Sequence, residues 1–316
     1  MREDYYWYWV NNIVGMSNAK LKKLFAVFDT PEEIYKASDR LLESVNDIRM
    51  SDIMAIKESR KDDYIYRQYS DIEKQGIRFT YPGQINYPDK LLNIYDYPYI
   101  LYYKGRLPDT DKPSVAIVGA RNCTEYGRMI AQHFGENFAG MGLQVISGMA
   151  LGIDAAAQKG AIKNGGYSLA VLGCGVDICY PRTNIELYTH LNDCGGIISE
   201  YPPGTAPRAG LFPMRNRIIS AMADALVVVE ARQKSGSLIT VKHALEQGVD
   251  VCAVPGRIND VLSGGCNRLI QEGAFPATST LDILFSMGIN MKKNEKTKIF
   301  LEKQNEVLYS VLDLQP

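Results

Sequence analysis

The chain has 316 residues, 46% of them hydrophobic and 22% charged, with a formal net charge of −1, which is the balance of a globular protein with room for two domains. No apolar run approaches about 18 residues, which excludes a helical membrane span; the start, MREDYYWYWVNNIVG, lacks the basic region and small-residue cleavage site of a secretory signal, so the protein reads as cytoplasmic. Near-neutrality also excludes a protein that grips polyanions over its whole surface, so any nucleic-acid site must come from locally concentrated charge.

Residues 1–75 read as a small helical domain. Ile13-Val14-Gly15-Met16 followed by Leu21, Leu24, Phe25 and Phe28 predicts a tight turn between two amphipathic helices, and Thr30-Pro31-Glu32-Glu33 predicts the cap of the next one. Such a helix-hairpin-helix can touch a phosphate backbone through its Gly-containing turn, but a single degenerate copy reads first as a packing device. The cluster Tyr5, Tyr6, Trp7, Tyr8 and Trp9 reads as core or interdomain packing before base stacking, because aromatics carry so much buried area. Residues 76–113 change to short extended pieces broken by prolines, a connection expected to pack on the next domain; Pro98–Tyr103 is a candidate added strand, with Lys104-Gly105 turning it.

From residue 114 to 288 strand alternates with helix. Strands are expected at Val115–Gly119, Gln144–Gly148, Ser168–Gly173, Gly196–Glu200, Ala225–Glu230 and Asp250–Pro255, and helices near 126–141, 154–164, 184–193, 214–223, 236–247 and 265–273. Repeated βα units imply an α/β fold with a doubly wound, mostly parallel sheet. Residues 289–316 read as a charged linker and the start of an amphipathic helix that stops abruptly, the ending expected of a truncated chain.

In an open α/β sheet, ligands bind beyond the carboxyl ends of the strands. The residues there are small or cationic: Gly119-Ala120-Arg121, then Ser147 and Gly148 leading to Asp154, then Gly173-Cys174-Gly175, then Lys234-Ser235-Gly236-Ser237 opening a helix. Small residues let backbone amides approach a phosphate, and Arg121 adds a charged fork. Arg215 and Arg217 fall near the amino end of another helix, where arginines can face an anion. Charge is concentrated nearby, since Arg208, Arg215 and Arg217 lie between Glu200 and Asp224, and Arg232, Lys234 and Lys242 between Glu230 and Glu246, with no acid in either interval. A solvated basic face is the bland alternative. An arginine in place of the second glycine of G-x-G-x-x-G argues against bound NAD, and no cofactor is expected.

Catalytic candidates are few. His133, His190 and His243 fall within helices. Asp154, Asp177, Glu200 and Glu230 lie near strand ends and serve either acid-base work or capping and loop hydrogen bonding. The six cysteines, Cys123, Cys174, Cys179, Cys194, Cys252 and Cys266, form no C-x-x-C pair and no zinc pattern, and read as buried reduced thiols.

The motifs VAIVGAR, SGMALGIDAAA, VLGCGVDICYPRTN, SEYPPG, FPMRNRIISAMADALVVVEA, SGSLIT and VPG, in this order over roughly Gly76 to Phe285, resemble the DNA-processing protein A family (DprA, also called Smf). The resemblance implies a Rossmann-like core behind a sterile-alpha-motif-like helical domain, with a winged-helix domain in many members of which this chain has at most the first helix. It implies a non-enzymatic protein that binds and protects single-stranded DNA and helps load the RecA recombinase in natural transformation. By motif, DNA contacts would fall on Arg121, Arg182 and Arg208, with Phe212 offering a stacking face. It also implies a homodimer through the end of the core, where Leu269 and Ile270 lie on a short helix beside the last strand. The competing reading is a nucleotide-processing enzyme of a related Rossmann-like group, with Glu200 or Glu230 activating water; competition by mononucleotides separates the two.

Overall fold

A computed structural model describes residues 2–289. The linker and helix start expected over 289–316 lie, apart from their first residue, outside the described residues. Six helices come first: α1 (Glu3–Asn11), α2 (Asn18–Phe25), α3 (Pro31–Lys36), α4 (Asp39–Glu43), α5 (Met50–Ser59) and α6 (Asp62–Lys74). Gly15, at φ +78°, makes the expected turn between α1 and α2. Thr30 caps α3, its hydroxyl accepting from the Glu33 amide at 3.2 Å. At the other end of α3, the Arg60 guanidinium donates to the Ile34 and Ala37 carbonyls, each at 3.0 Å, satisfying acceptors that a helix terminus leaves open. The aromatic cluster is packing, as its area suggests: Tyr6 through Trp9 are all buried. Trp7 stacks on Phe25 at 5.2 Å and on Tyr81 at 4.7 Å.

Next come β1 (Arg78–Thr80), α7 (Asp89–Leu92) and β2 (Leu101–Gly105). The stretch expected to be a connection therefore contributes two strands to the main sheet. β1 pairs antiparallel with β2, and β2 pairs antiparallel with β6, Tyr102 opposite Ser199. The alternation follows as β3 (Ser114–Val118), α8 (Glu125–Gly140), β4 (Gln144–Ser147), α9 (Ile153–Lys163), β5 (Ser168–Val171), α10 (Ile185–Cys194), β6 (Gly196–Ser199), α11 (Leu211–Ala221), β7 (Ala225–Val228), α12 (Ser237–Glu246), β8 (Asp250–Ala253), α13 (Gly264–Gln271), β9 (Phe275–Pro276) and α14 (Thr280–Ser286). Each expected strand and helix of the core is present within a few residues.

The sheet order is β1-β2-β6-β5-β4-β3-β7-β8-β9, parallel from β6 to β9. The order reverses beside β3, the first parallel strand, whose neighbours are β4 and β7; this is the switch point where such sheets open a crevice at their carboxyl ends. Helices cover both faces, so strand residues alternate between two cores: Val115 and Ile117 face one, Ala116 and Val118 the other. Burial of each Val, Leu or Ile here contributes roughly 1.5–3 kcal/mol. The helical unit shares its core with the sheet, since one buried cluster runs from Trp7 and Leu24 through Tyr102 to Ala170 and Ile197.

Candidate nucleic-acid interface

A cavity of about 600 Å³ opens at the switch point, lined by residues after β3 and β4, by the start of α11 and by the loop before α12. Helical spacing explains the contribution of α11. Phe212, Pro213, Arg215, Asn216 and Ile219 all line the cavity, and positions three and four apart share a face. Phe212 is the centre of an aromatic and cationic stack. Tyr180 lies against it at 5.5 Å with the ring planes 25° apart, and the Arg121 guanidinium sits 5.4 Å from its ring centre. Tyr180 is 42% exposed and is an aromatic lining residue that sequence reasoning missed. The signal was present, an aromatic inside the YPRTN motif, but nothing local shows that it folds over a ring 32 positions away.

Two buried groups of opposite charge line the cavity. Asp154 and Arg215 are 6% and 4% exposed. Burial pulls the Arg215 guanidinium down to about 10, with the Asp154 carboxylate working in the opposite direction. Burial likewise raises the Asp154 carboxyl above its ordinary value, against the pull of Arg215 and the Gly148 and Ala150 amides. Arg215 donates to the Gly148 carbonyl at 2.8 Å and to the Val171 carbonyl, while its Nε finds no partner among the described residues.

The strand-end glycines do less than expected as phosphate cradles and more as spacers. A Cβ on Gly148 would collide with the Arg215 guanidinium, on Gly173 with the Phe212 ring at 2.7 Å, and on Gly119 with Ile153 at 2.7 Å. Removing the side chain lets those groups reach their places. Gly236 alone of the expected glycines has open space around it, and it lines the cavity with Ser235, Ser237 and exposed Lys234.

Several expected site residues are elsewhere. Ser147 is fully buried and donates to the Ile117 carbonyl at 2.6 Å. Arg217 is 2% exposed and its guanidinium is taken up by Glu200 and Asp96, because two helix positions place it opposite Arg215. Arg182 is exposed on a 3-10 turn just beyond the lining, and Arg208 is exposed between lining residues Pro207 and Ala209. Leu269 is buried in the core beside the sheet, and Ile270 is half-buried against the same core.

The carboxylates are engaged in structure. Glu230 accepts from the Thr124 amide at 2.9 Å and from its hydroxyl, Asp177 accepts from the Gly204 amide, and Glu200 holds Arg217. Cys174, Cys252 and Cys266 are buried, whereas Cys123 and Cys179 are half-buried and Cys194 is exposed, contrary to the reading of all six as buried. No group of three or more His, Cys, Asp or Glu among the described residues is placed to hold a metal ion. No described helix is long and apolar enough to cross a membrane.

A mostly parallel, Rossmann-like sheet with an arginine- and aromatic-lined cavity at its switch point defines an α/β protein that offers cations and rings at the carboxyl ends of its strands. Residues 78–288 match the family of DNA recombination-mediator protein A, and the chain belongs to that family. Among its relatives, the DNA processing protein DprA of Streptococcus pneumoniae is 44% identical over 198 residues, 63% of this chain and 70% of that protein. The X-ray structure of that organism's DprA superimposes with a TM-score of 0.77 at 34% identity, covering 89% of this chain and 96% of that one. DNA processing protein A of Helicobacter pylori, whose structure describes that protein's single-stranded DNA binding mode, gives a TM-score of 0.59 at 29% identity over 66% of this chain and 95% of that one.

Proposed function

We propose that the cavity at the switch point binds single-stranded DNA, and that the protein is a cytoplasmic recombination mediator that protects incoming strands and helps RecA load on them during natural transformation. The observation that carries this reading is the Arg121–Phe212–Tyr180 stack on the rim of the cavity, with Lys234 and the Ser235-Gly236-Ser237 loop lining it. Stacked rings accept any base face, and the cations follow the phosphates without reading sequence. A duplex hides its base faces and is too stiff to bend them into a crevice. Arg182 and Arg208 extend the cationic track outside the cavity. Family membership and the H. pylori relative support the same ligand.

Glu200 and Glu230, the carboxylates that a nucleotide-processing enzyme would use to activate water, are engaged in structural bonds, which favours a binding protein. We take 1–75 as a helical domain, 76–113 as the stretch that adds two antiparallel strands to the sheet, and 114–288 as the DNA-binding core.

The test is a gel shift with oligo-dT against duplex of equal length, across a salt series. Preference for the single strand is expected, with a log–log salt slope of about −2 to −3.5 for three to five phosphates at roughly −0.7 each. Equal affinity for duplex, or a slope near zero, refutes the assignment.

A further inference from the structure

Arg215 and Arg217 leave α11 roughly 200° apart, two steps of about 100°. One lines the cavity and the other points at the loop between α7 and β2. Arg217 donates through Nη1 and Nη2 to the two carboxylate oxygens of Glu200 at 2.8 and 2.7 Å, and its Nε meets Asp96 Oδ2 at 2.8 Å. Nη2 also donates to the Asp96 carbonyl at 2.9 Å. These partners more than offset the cost of burial and hold the guanidinium above its ordinary pKa.

The same Asp96 carbonyl is shared with the helical unit. Asn18, at the start of α2, donates through Nδ2 to the Asp96 carbonyl at 3.1 Å and to the Tyr97 carbonyl at 2.9 Å, while its Oδ1 accepts from the Tyr99 amide at 3.4 Å. Lys22, one turn further on, donates to the Tyr95 carbonyl at 2.8 Å and rests 3.1 Å from the centre of the Tyr95 ring.

Besides Arg217, the amino end of α11 is held on its cavity side by Arg215, which donates to the Gly148 and Val171 carbonyls. Its N-cap is Gly210, with no side-chain cap, and the chain before it from Pro202 to Gly210 is half-buried or exposed throughout. Yet this end carries Phe212, the ring at the centre of the stack. What holds the opposite face of the helix therefore shares with the Arg215 bonds in setting where Phe212 and Arg215 stand.

We infer that Asn18, Asp96 and Arg217 form a brace through which the N-terminal helical unit holds α11, and so sets the DNA affinity of a cavity that the unit does not line. The inference rests on the cavity's being the single-strand site. Asn18 and Arg217 are positioning residues that touch no DNA. Removing either lowers affinity without removing a phosphate contact.

The salt dependence of binding separates this role from a direct one. Oligo-dT affinity is measured over a salt series for the wild-type chain and for Asn18→Ala, Arg217→Lys and Arg121→Ala, with the melting temperature of each recorded. Asn18→Ala leaves the Asp96 carbonyl its bond from Arg217 but takes the partners of the Tyr97 carbonyl and the Tyr99 amide, so its melting temperature is what shows that it is folded. It should bind about two- to tenfold more weakly, the range for one net hydrogen bond, with the wild-type salt slope. Arg217→Lys should do the same, whereas Arg121→Ala should lose roughly 0.7 from the slope. By reciprocity, oligo-dT should raise hydrogen-exchange protection of residues 93–99, which lie outside the cavity lining.

Wild-type affinity in Asn18→Ala, or a slope in Asn18→Ala or Arg217→Lys as shallow as that of Arg121→Ala, overturns the brace. If Arg217→Lys does not fold, Asn18→Ala alone decides. A wild-type chain that does not retain oligo-dT sinks the DNA reading itself, an outcome distinct from normal binding that Asn18→Ala leaves untouched.

Discussion

Arg121 and Arg208 are both exposed, both motif-matched and both one charge, yet their backbones differ. The loop carrying Arg121 is pinned from two sides: the Ala120 amide donates to the Glu230 carbonyl at 2.8 Å, and the Ala120 carbonyl accepts from the Ile153 amide at 3.3 Å. Gly152 lies so close beneath that a Cβ there would strike the Ala120 and Arg121 carbonyls. Arg121 is thus presented to the cavity already ordered, and ordering need not be subtracted from its contact energy. Arg208 comes from a Pro- and Gly-rich stretch of which Pro207 and Ala209, but not Arg208 itself, line the cavity. Arg121→Ala should therefore weaken oligo-dT binding by the roughly 1.5–3 kcal/mol of a charged hydrogen bond, about ten- to a hundredfold. Arg208→Ala should lose no more than a few-fold, as expected of a screened surface charge. Fluorescence anisotropy on both variants, with melting curves to show that they are folded, checks the order; equal losses would remove the distinction drawn here.

At the level of elements, α14 shows how a local signal becomes a testable contribution. Its capping box is reciprocal, with Ser279 Oγ accepting from the Asp282 amide at 3.3 Å and Asp282 accepting from the Thr278 and Ser279 amides at 2.9 and 2.8 Å. The Thr278 hydroxyl, first among these partners, holds the Asp282 carboxyl below its ordinary value of 3.8. A depressed carboxyl contributes stability that is present above 3.8 and is lost as pH falls through its lower folded value. Asp282→Ala should lower the melting temperature by about 2 °C at neutral pH, the effect of one cap in a chain of this size. The gap should close in acid below that pKa; a gap that persists there would mean packing, not charge, is what Asp282 supplies. The βα core was legible because strands covered on both faces must be continuous apolar runs, as Ala225–Val229 is. β1 and β9, three and two residues long, carry no such run. The carboxyl-end location of the site was legible from topology. Which arginine faced it was not, since Arg215 and Arg217 look alike until the helix phase and the remote Asp96 are fixed.

Across the whole molecule the sheet has two ends treated differently. At one, β1 and β2 pack a face on the aromatic core of the helical unit. At the other, β9 pairs only with β8, and Phe275 on it is 42% exposed, with Leu281 and Phe285 on the adjoining α14 at 57% and 73%. We propose that a two-fold contact between copies covers this end, aligning two DNA cavities in one assembly. Leu269 cannot serve that contact, being buried in its own protomer, and a charge at half-buried Ile270 would disturb the fold together with the interface. Phe275→Glu is the cleaner change, because its side chain leaves the core intact. It should give a folded monomer by light scattering, with weaker binding to oligonucleotides long enough to reach both cavities and little change on short ones, since only the former gain from the effective concentration of a second site. A Phe275→Glu protein that still scatters as a dimer would move the interface away from β9, and a monomer with undiminished affinity for long strands would show that one cavity accounts for all of the binding.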